Sequence, residues 1–393
     1  MSASANAAGS RSSLRGWGSN LLWTLAESVV AILLAIFVGG IGIVLFSGLL
    51  PNHSAFDLGL PIAAYGALWS GAVGWPNGIG STLSYATPLI LAGLGVGLGF
   101  KAGLFNIGGR GQFLMGSVGA MTVVTLMGAH QNGLVTIPLA LLAGALFGAF
   151  AGFIPGALKA TSGAHEVVTT IMLNYVFVFA TYWAISGPLR LPNSPQPITA
   201  DASARGAALP IIGFLGRDAH AGILLALLAL PLVWFLLFRT TLGFEIRAAG
   251  ANSDAARYAG MKTKQLIVLT MSMAGGLCGL AGATTLLGVV HQMAPGYDTT
   301  VGFDAITVAL LGRSNPIGIG LAGLLLGAMR AGAQSMQISP GVPAELVDAL
   351  QAIILLFLVI NILRRWRAKR IGDGPIVKPT ETLGVGASAE AAE

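Results

Sequence analysis

Long charge-free stretches alternate along the chain with short polar segments rich in Gly and Pro. A helix crosses the hydrocarbon core of a bilayer with about 20 mostly apolar residues, so each stretch divides into spans at its turn residues. Residues 29–50 hold a first span, longer than the roughly 7–15 apolar residues of a cleaved leader. Residues 58–80, Gly-rich and broken at Trp75, Pro76 and Gly78, predict a short non-spanning segment ahead of a second span over 83–100. The charge-free stretch 111–158 divides at 127–133 into spans three and four, and 167–185 is the fifth. The Pro-rich segment 187–219 is the longest soluble loop. Spans six (221–238) and seven (265–290) flank a basic loop, 239–264. Three apolar pieces remain: 303–312, too short to cross alone, then 316–334 and 346–363. The expectation is an all-α polytopic membrane protein with about ten transmembrane helices.

Composition narrows the class. Only 9% of the 393 residues are charged, against 54% hydrophobic and 56 glycines, where soluble domains carry about 25% charged residues. Such a chain cannot cover a water-facing surface, which excludes soluble enzymes and nucleic-acid modules. A mean hydropathy of +0.79 excludes global disorder. Cys278 is the sole cysteine, so no intrachain disulfide or cysteine cluster for a metal can form.

Charge placement gives orientation. With the N-terminus cytoplasmic, 17 of the 21 basic residues fall on inner segments, Lys101, Arg110 and Arg313 among them. Outer loops hold only Arg190, Arg205 and Arg217, and Arg330 lies within a span. An even number of spans places both termini inside. The +6 net charge therefore marks the cytoplasmic face and implies no nucleic acid. The expected organisation is a cytoplasmic segment (1–25), a transmembrane domain (26–364) with an outer loop at 187–220 and an inner one at 239–264, and a disordered cytoplasmic tail (365–393). Spans two to five run opposite in sense to spans seven to ten, as an inverted repeat requires.

No Gly-x-x-x-x-Gly-Lys-Ser/Thr loop is present, so ATP is not bound by that route. The five histidines are scattered, without metal-ligand spacing, and no catalytic triad can be assembled. The run of alternate glycines from Gly93 to Gly99 reads as close helix packing.

Three segments carry more. In 239–264, Asn252 or Ser253 can cap a short helix through Ala259, with Asp254 near its N-terminus and Gly260 at its end. It suits docking on another protein or contact with anionic lipid. In 98–116, Gly99, Gly103, Gly108, Gly109 and Gly111 let the backbone leave the helix, and Asn106 and Gln112 can satisfy groups freed by the break. A pathway at membrane depth and a plain cytoplasmic turn both fit. In 161–177, Glu166, Thr170 and Asn174 recur at helical spacing beside Thr169, giving a polar face inside an apolar span. Asp298, Asp304, Glu345 and Asp348 fall near outer span ends, where contact with water or an external partner is expected.

Taken together, ATPLILAGLGVGLGFKAGLFNIGGRGQFLMG (86–116), HEVVTTIMLNY (165–175), AAGANSDAARYAGM (248–261), GFDAITVALLGRSNP (302–316) and ELVDALQAIILLF (345–357) resemble the permease subunits of bacterial ABC importers in the nucleoside and simple-sugar branch, related to the branched-chain amino acid and ribose permeases. The resemblance implies a type II importer fold in the bacterial inner membrane and alternating access without enzymatic activity of the chain's own. It implies an ATPase coupling loop containing Glu245, Arg247, Asn252, Asp254, Ala255, Ala256 and Gly260. Phe105, Asn106, Gln112, Thr169, Thr170 and Asn174 are then expected to line or support the translocation pathway. The implied partners are an ABC ATPase subunit, a second permease (as homo- or heterodimer), a substrate-binding lipoprotein or periplasmic protein, and membrane lipid. ATP and Mg would belong to the ATPase, leaving this chain without a cofactor. In relatives an acid often stands where this chain has Arg110. An ion- or proton-driven carrier working without an ATPase is the alternative.

Overall fold

The computed structural model describes residues 33–34, 36–45, 47–49, 56–128, 132–343, 345–349, 352–353 and 356. Two units divide the chain, Val38–Gln351 and the two ends, Met1–Phe37 with Ala352–Glu393; the architecture below is that of the first. The expected N-terminal segment 1–25, the tail 365–393 and most of the crossing at 346–363 lie outside the described residues, as does the centre of the 127–133 turn.

The described residues form helices α1 (Ile36–Leu45), α2 (Leu60–Val73), α3 (Asn77–Lys101), α4 (Gly109–Leu126), α5 (Gly133–Ser162), α6 (Glu166–Ser186), α7 (Gly222–Arg239), α8 (Thr241–Ala251), α9 (Ser253–Tyr258), α10 (Thr263–Thr285), α11 (Val301–Leu311) and α12 (Pro316–Ile338). A π-turn, Leu286–Val290, extends α10. Extended pairing among these residues is limited to two isolated bridges in the outer loop. Six helices are long and apolar enough to cross a membrane: α3, α5, α6, α7, α12 and α10 with its π-turn. These six are among the described residues, which omit most of the expected first and last crossings. The 14-residue α2 and 11-residue α11 are too short, and α4 carries Arg110 and Gln112 in its first turn.

Local signals explain the boundaries. Asn132 opens α5 by accepting the Leu134 N–H at 3.1 Å, and Gly163, at φ +71°, closes it. Asn315 caps α12 through the Ile317 N–H at 3.2 Å, with Pro316 at the first helical position.

The helices pack through small residues, as expected where lipid removes the hydrophobic drive between apolar surfaces. Gly144, Gly148 and Gly152 of α5 face Gly275 and Gly279 of α10. A Cβ added at Gly279 would lie 2.7 Å from the Gly148 Cα and overlap the Gly144 carbonyl oxygen. The counterpart contact joins α3 to α12, where Gly323 meets Ile90 and Gly327 meets Ala86.

Exchanging α3 with α10, α4 with α11 and α5 with α12 turns one set of helix contacts into the other: α5 packs on α10 as α12 does on α3, and α4 packs on α10 as α11 does on α3. The two halves thus correspond helix by helix as a repeat. Each half has an irregular segment after its first long helix, 102–108 after α3 and 291–300 after α10.

The outer loop is pinned over the end of α10 by its backbone. Thr199 N–H donates to Met293 O, Ala202 to His291 O and Leu209 to Leu287 O, at 2.8–3.0 Å. Within it Asp201 accepts the Ser203 hydroxyl and N–H at 2.7 Å. Burial pushes the Asp201 carboxyl up, but these bonds, the Ala204 N–H and nearby His291 hold it below the usual range. From the same loop Arg205 donates to Val124 O and Thr125 O, closing the C-terminus of α4.

The glycine seam sets a test of the packing. Gly279→Val should lower the melting temperature in detergent or prevent folding, since overpacking a close contact costs about 1–3 kcal/mol or more. Gly276→Ala, three residues away with its nearest neighbour at 3.4 Å, should leave the melting temperature unchanged. Equal melting of both variants with the parent would contradict the seam.

Candidate functional site

The segment 102–108 climbs back into the protein. Gly97 packs near Ser314 and Gly93 against Val308, while Gly109 and Arg110 pack on Gly302 at the start of α11. Leu104 N–H still bonds Gly99 O at 2.9 Å and Asn106 packs on Gly99, so the return begins beside the last turn of α3 and reaches Arg110 at the level of Gly302. Residues 104–107 are irregular rather than helical. The glycine-rich stretch therefore turns back into the protein as a re-entrant segment packed on α6 and α11.

Irregular backbone packed in this way needs partners inside the protein, and the polar face of α6 supplies them. Glu166 accepts a hydrogen bond from the Phe105 backbone and pairs with Lys159. Thr170 packs beside Gly108. Asn174 donates to Ile107 O at 3.0 Å and accepts the Gly111 N–H at 2.9 Å. Asn106 and Gln112 exchange side-chain amide bonds at 2.9 and 3.1 Å, while Asn106 accepts the Gly108 N–H at 3.0 Å. Asn106, Gln112, Thr170 and Asn174 are all buried.

Because α4 begins within the protein, Arg110 meets the other irregular segment. Its Nε donates to Asp298 Oδ1 at 2.8 Å, and a second guanidinium nitrogen bonds the other carboxylate oxygen. This corrects the placement of Arg110 on a cytoplasmic segment: Gly109 and Gly111 let the first turn of α4 lie against other backbones, and a carboxylate neutralises the cation. Asp298 is likewise not directed at an outside partner. Arg330 of α12 pairs with Asp304 at 2.9 Å and Asp348 at 3.2 Å.

These pairs border a cavity of about 1140 Å³ whose lining includes Tyr85, Arg110, Asp298, Phe303, Asp304 and Arg330. Residues Ser203, Leu209, Arg217 and Asp218 of the loop 187–220 also line it, so it lies on that loop's side of the helices. Its described cations, Arg110, Arg217 and Arg330, are balanced in number by Asp218, Asp298 and Asp304.

On the inner side, the expected loop is two helices, because Thr240 caps α8 by accepting the Gly243 N–H at 3.1 Å. Asn252 then caps α9 through the Asp254 and Ala255 N–H groups at 3.0 Å. Gly260, at φ +84°, ends it. Ala256 is buried and Ala255 exposed. Arg247 donates to Gly243 O and stacks its guanidinium 5.1 Å from the Phe238 ring, while Glu245 is half-buried.

Of the six residues expected along a pathway, Asn106, Gln112, Thr170 and Asn174 are gathered around the re-entrant segment. Thr169 bonds back to His165 O and Glu166 O of its own helix. Phe105 is 44% exposed and stacks at 4.7 Å on Phe100. None of the six is among the residues lining the outer cavity. Sequence reasoning missed Arg110 with Asp298, Arg330 with Asp304, and Tyr258, which is 94% exposed on α9. An arginine inside a predicted span was the available signal for Arg330.

Comparison with known proteins fits this geometry. The profile of the branched-chain amino acid transport system permease component family matches residues 78–359. The chain is 43% identical over 298 residues to the guanosine ABC transporter permease protein NupP of Bacillus subtilis (strain 168), covering 75% of this chain and 85% of that one. It is 37% identical over 309 residues to a nucleoside ABC transporter permease protein of Lactococcus lactis subsp. cremoris, covering 77% and 84%. A glucose ABC transporter permease protein of Haloferax volcanii is 32% identical over 361 residues, covering 88% and 92%. No solved structure matches. The chain is thus a multi-pass membrane protein that belongs to the branched-chain amino acid transport system permease component family.

Proposed function

We propose that this chain is the permease subunit of an ATP-driven ABC importer that moves nucleosides, or related simple sugars, inward across a bacterial inner membrane. The relatives named above support it and disfavour the ion-driven alternative. The observation that carries the substrate class is the balanced outer cavity. Arg110 and Arg330 are covered by carboxylates, which suits an uncharged, hydroxyl-rich solute over a phosphorylated one, and Tyr85 and Phe303 offer ring faces.

The remaining arrangement follows from this reading. Ten crossings span 26–364 with both termini cytoplasmic, flanked by the end segments 1–25 and 365–393. The loop 239–264 docks on a separate ATPase that binds ATP and Mg, so the permease holds no cofactor and performs no hydrolysis. A second permease, alike or different, completes the pore. The loop 187–220 faces a substrate-binding lipoprotein or periplasmic protein. Asn106, Gln112, Thr170 and Asn174 support the pathway by holding the re-entrant segment, with Phe105 and Thr169 beside it.

Three outcomes are expected of the reconstituted complex. Labelled nucleoside uptake should be inhibited by a hundredfold excess of other nucleosides and not by nucleoside 5′-monophosphates; ribose uptake without nucleoside uptake would overturn the substrate class. Asp298→Ala, which leaves Arg110 unpaired, should lower uptake at least tenfold, and the exchange Arg110→Asp with Asp298→Arg should recover part of it. Unchanged uptake in Asp298→Ala would remove the pair from the mechanism. Ala255→Arg, on the exposed side of α9, should keep the melting temperature while uptake falls at least tenfold relative to ATP hydrolysis. Normal uptake in that variant would show that α9 does not meet the ATPase.

A further inference from the structure

We infer that Gly250 of α8 and Gly103 of the re-entrant segment are positioning residues through which the cytoplasmic loop moves the Arg110–Asp298 pair. The inference rests on the reading of the chain as a permease driven by a separate ATPase. Its observations are contacts between backbones. A Cβ on Gly250 would overlap the Lys101 carbonyl oxygen and lie 2.7 and 2.9 Å from the carbonyl carbon and Cα of Ala102. A Cβ on Gly103 would lie 3.1 Å from Gly250 O and 3.2 Å from Gly250 Cα. No side chain stands between α8 and the start of the re-entrant segment to absorb a displacement.

The loop is itself tightly joined. Asn252 closes α8 through its N–H to Ala248 O at 3.0 Å and opens α9 through its side chain, so a push on α9 reaches Gly250 two residues away. At the far end of the segment, backbones touch again. A Cβ on Gly109 would lie 3.1 Å from Gly302 O and 3.3 Å from Gly302 Cα, and the next residue is Arg110. Between these contacts the chain is irregular over 104–107 and held along α6 by Asn174 and Glu166. The segment is short and held by backbone contacts at both ends, so a displacement at Gly103 has little slack before it reaches Arg110. Its output is two-state, because the guanidinium is either paired with Asp298 or not.

The other route from the same loop is less direct. Gly243 of α8 lies against Leu236 and Leu237 of α7, and α7 contributes no described residue to the outer cavity. The loop also leads into α10, which borders the cavity only at its distant end, from Thr285 onward.

The test uses the full complex in proteoliposomes with a reporter cysteine, Thr299→Cys, beside Asp298. Labelling by a membrane-impermeant maleimide is timed with and without ATP. Cys278 is buried and adds no background. With Gly250 intact, the labelling rate should change at least threefold on addition of ATP. Gly250→Ala should leave the ATP-free rate and ATP hydrolysis within twofold while abolishing the ATP-dependent change. Gly276→Ala should preserve it. Persistence of the change in Gly250→Ala overturns the inference. Absence of any change with Gly250 intact would instead sink the underlying ATPase-driven reading. If Gly250→Ala does not assemble, Gly103→Ala is read by the same criteria: its Cβ requires a shift of only a few tenths of an ångström, with the added strain of a left-handed backbone at φ +71°.

Discussion

Non-helical backbone at membrane depth survives only when protein replaces the water it has lost, and that requirement organises the rest of this molecule. Residues 102–108 leave α3 and return to the start of α4 within the protein. Their exposed N–H and C=O groups are met by Asn106 and Asn174, and Gln112 holds the Asn106 amide. Without those bonds the segment would have to wind into α3 or leave the membrane. Either course would draw Arg110 away from Asp298. The buried amides act on transport chemistry at one remove: they fix where a charge sits.

The same economy shows in helix packing. Leu-on-Leu contact gains little over Leu-on-lipid, so close approach of backbones has to supply the attraction. The facing glycines of α5 and α10 provide it on one side, and Gly323 and Gly327 against α3 on the other. These contacts correspond under exchange of the two halves, and the irregular segments, one in each half, meet. Arg110 follows one and Asp298 lies in the other. A charge pair at the meeting point of the two halves is well placed to respond to tilting of either.

Much of this was legible in the chain, for identifiable reasons. Glu166, Thr170 and Asn174 repeat every four residues, so their shared face needed only helical periodicity. Asn252 and Gly260 bracket α9 because capping is local chemistry. Arg110 was misplaced because an arginine near a span end ordinarily marks the cytoplasmic side. What overrode that rule was a carboxylate 188 residues away in sequence, a separation that no local pattern reports. The inner loop's division into two helices hung on the Thr240 cap, one hydroxyl that sequence reasoning passed over.

Arg110 stands where relatives in the resembling family often carry an acid. In this chain an acid there would face Asp298 across a gap now closed by two hydrogen bonds. Two carboxylates at that distance repel, and one would have to take up a proton or turn away. The residues at 110 and 298 are therefore expected to change together: chains with an acid at the first position should carry a neutral or basic residue at the second. An aligned set of such permeases showing acids at both positions as often as chance allows would contradict this. The pairing constrains the joint rather than its polarity, which is why a reversed charge at one position is compatible with the same fold.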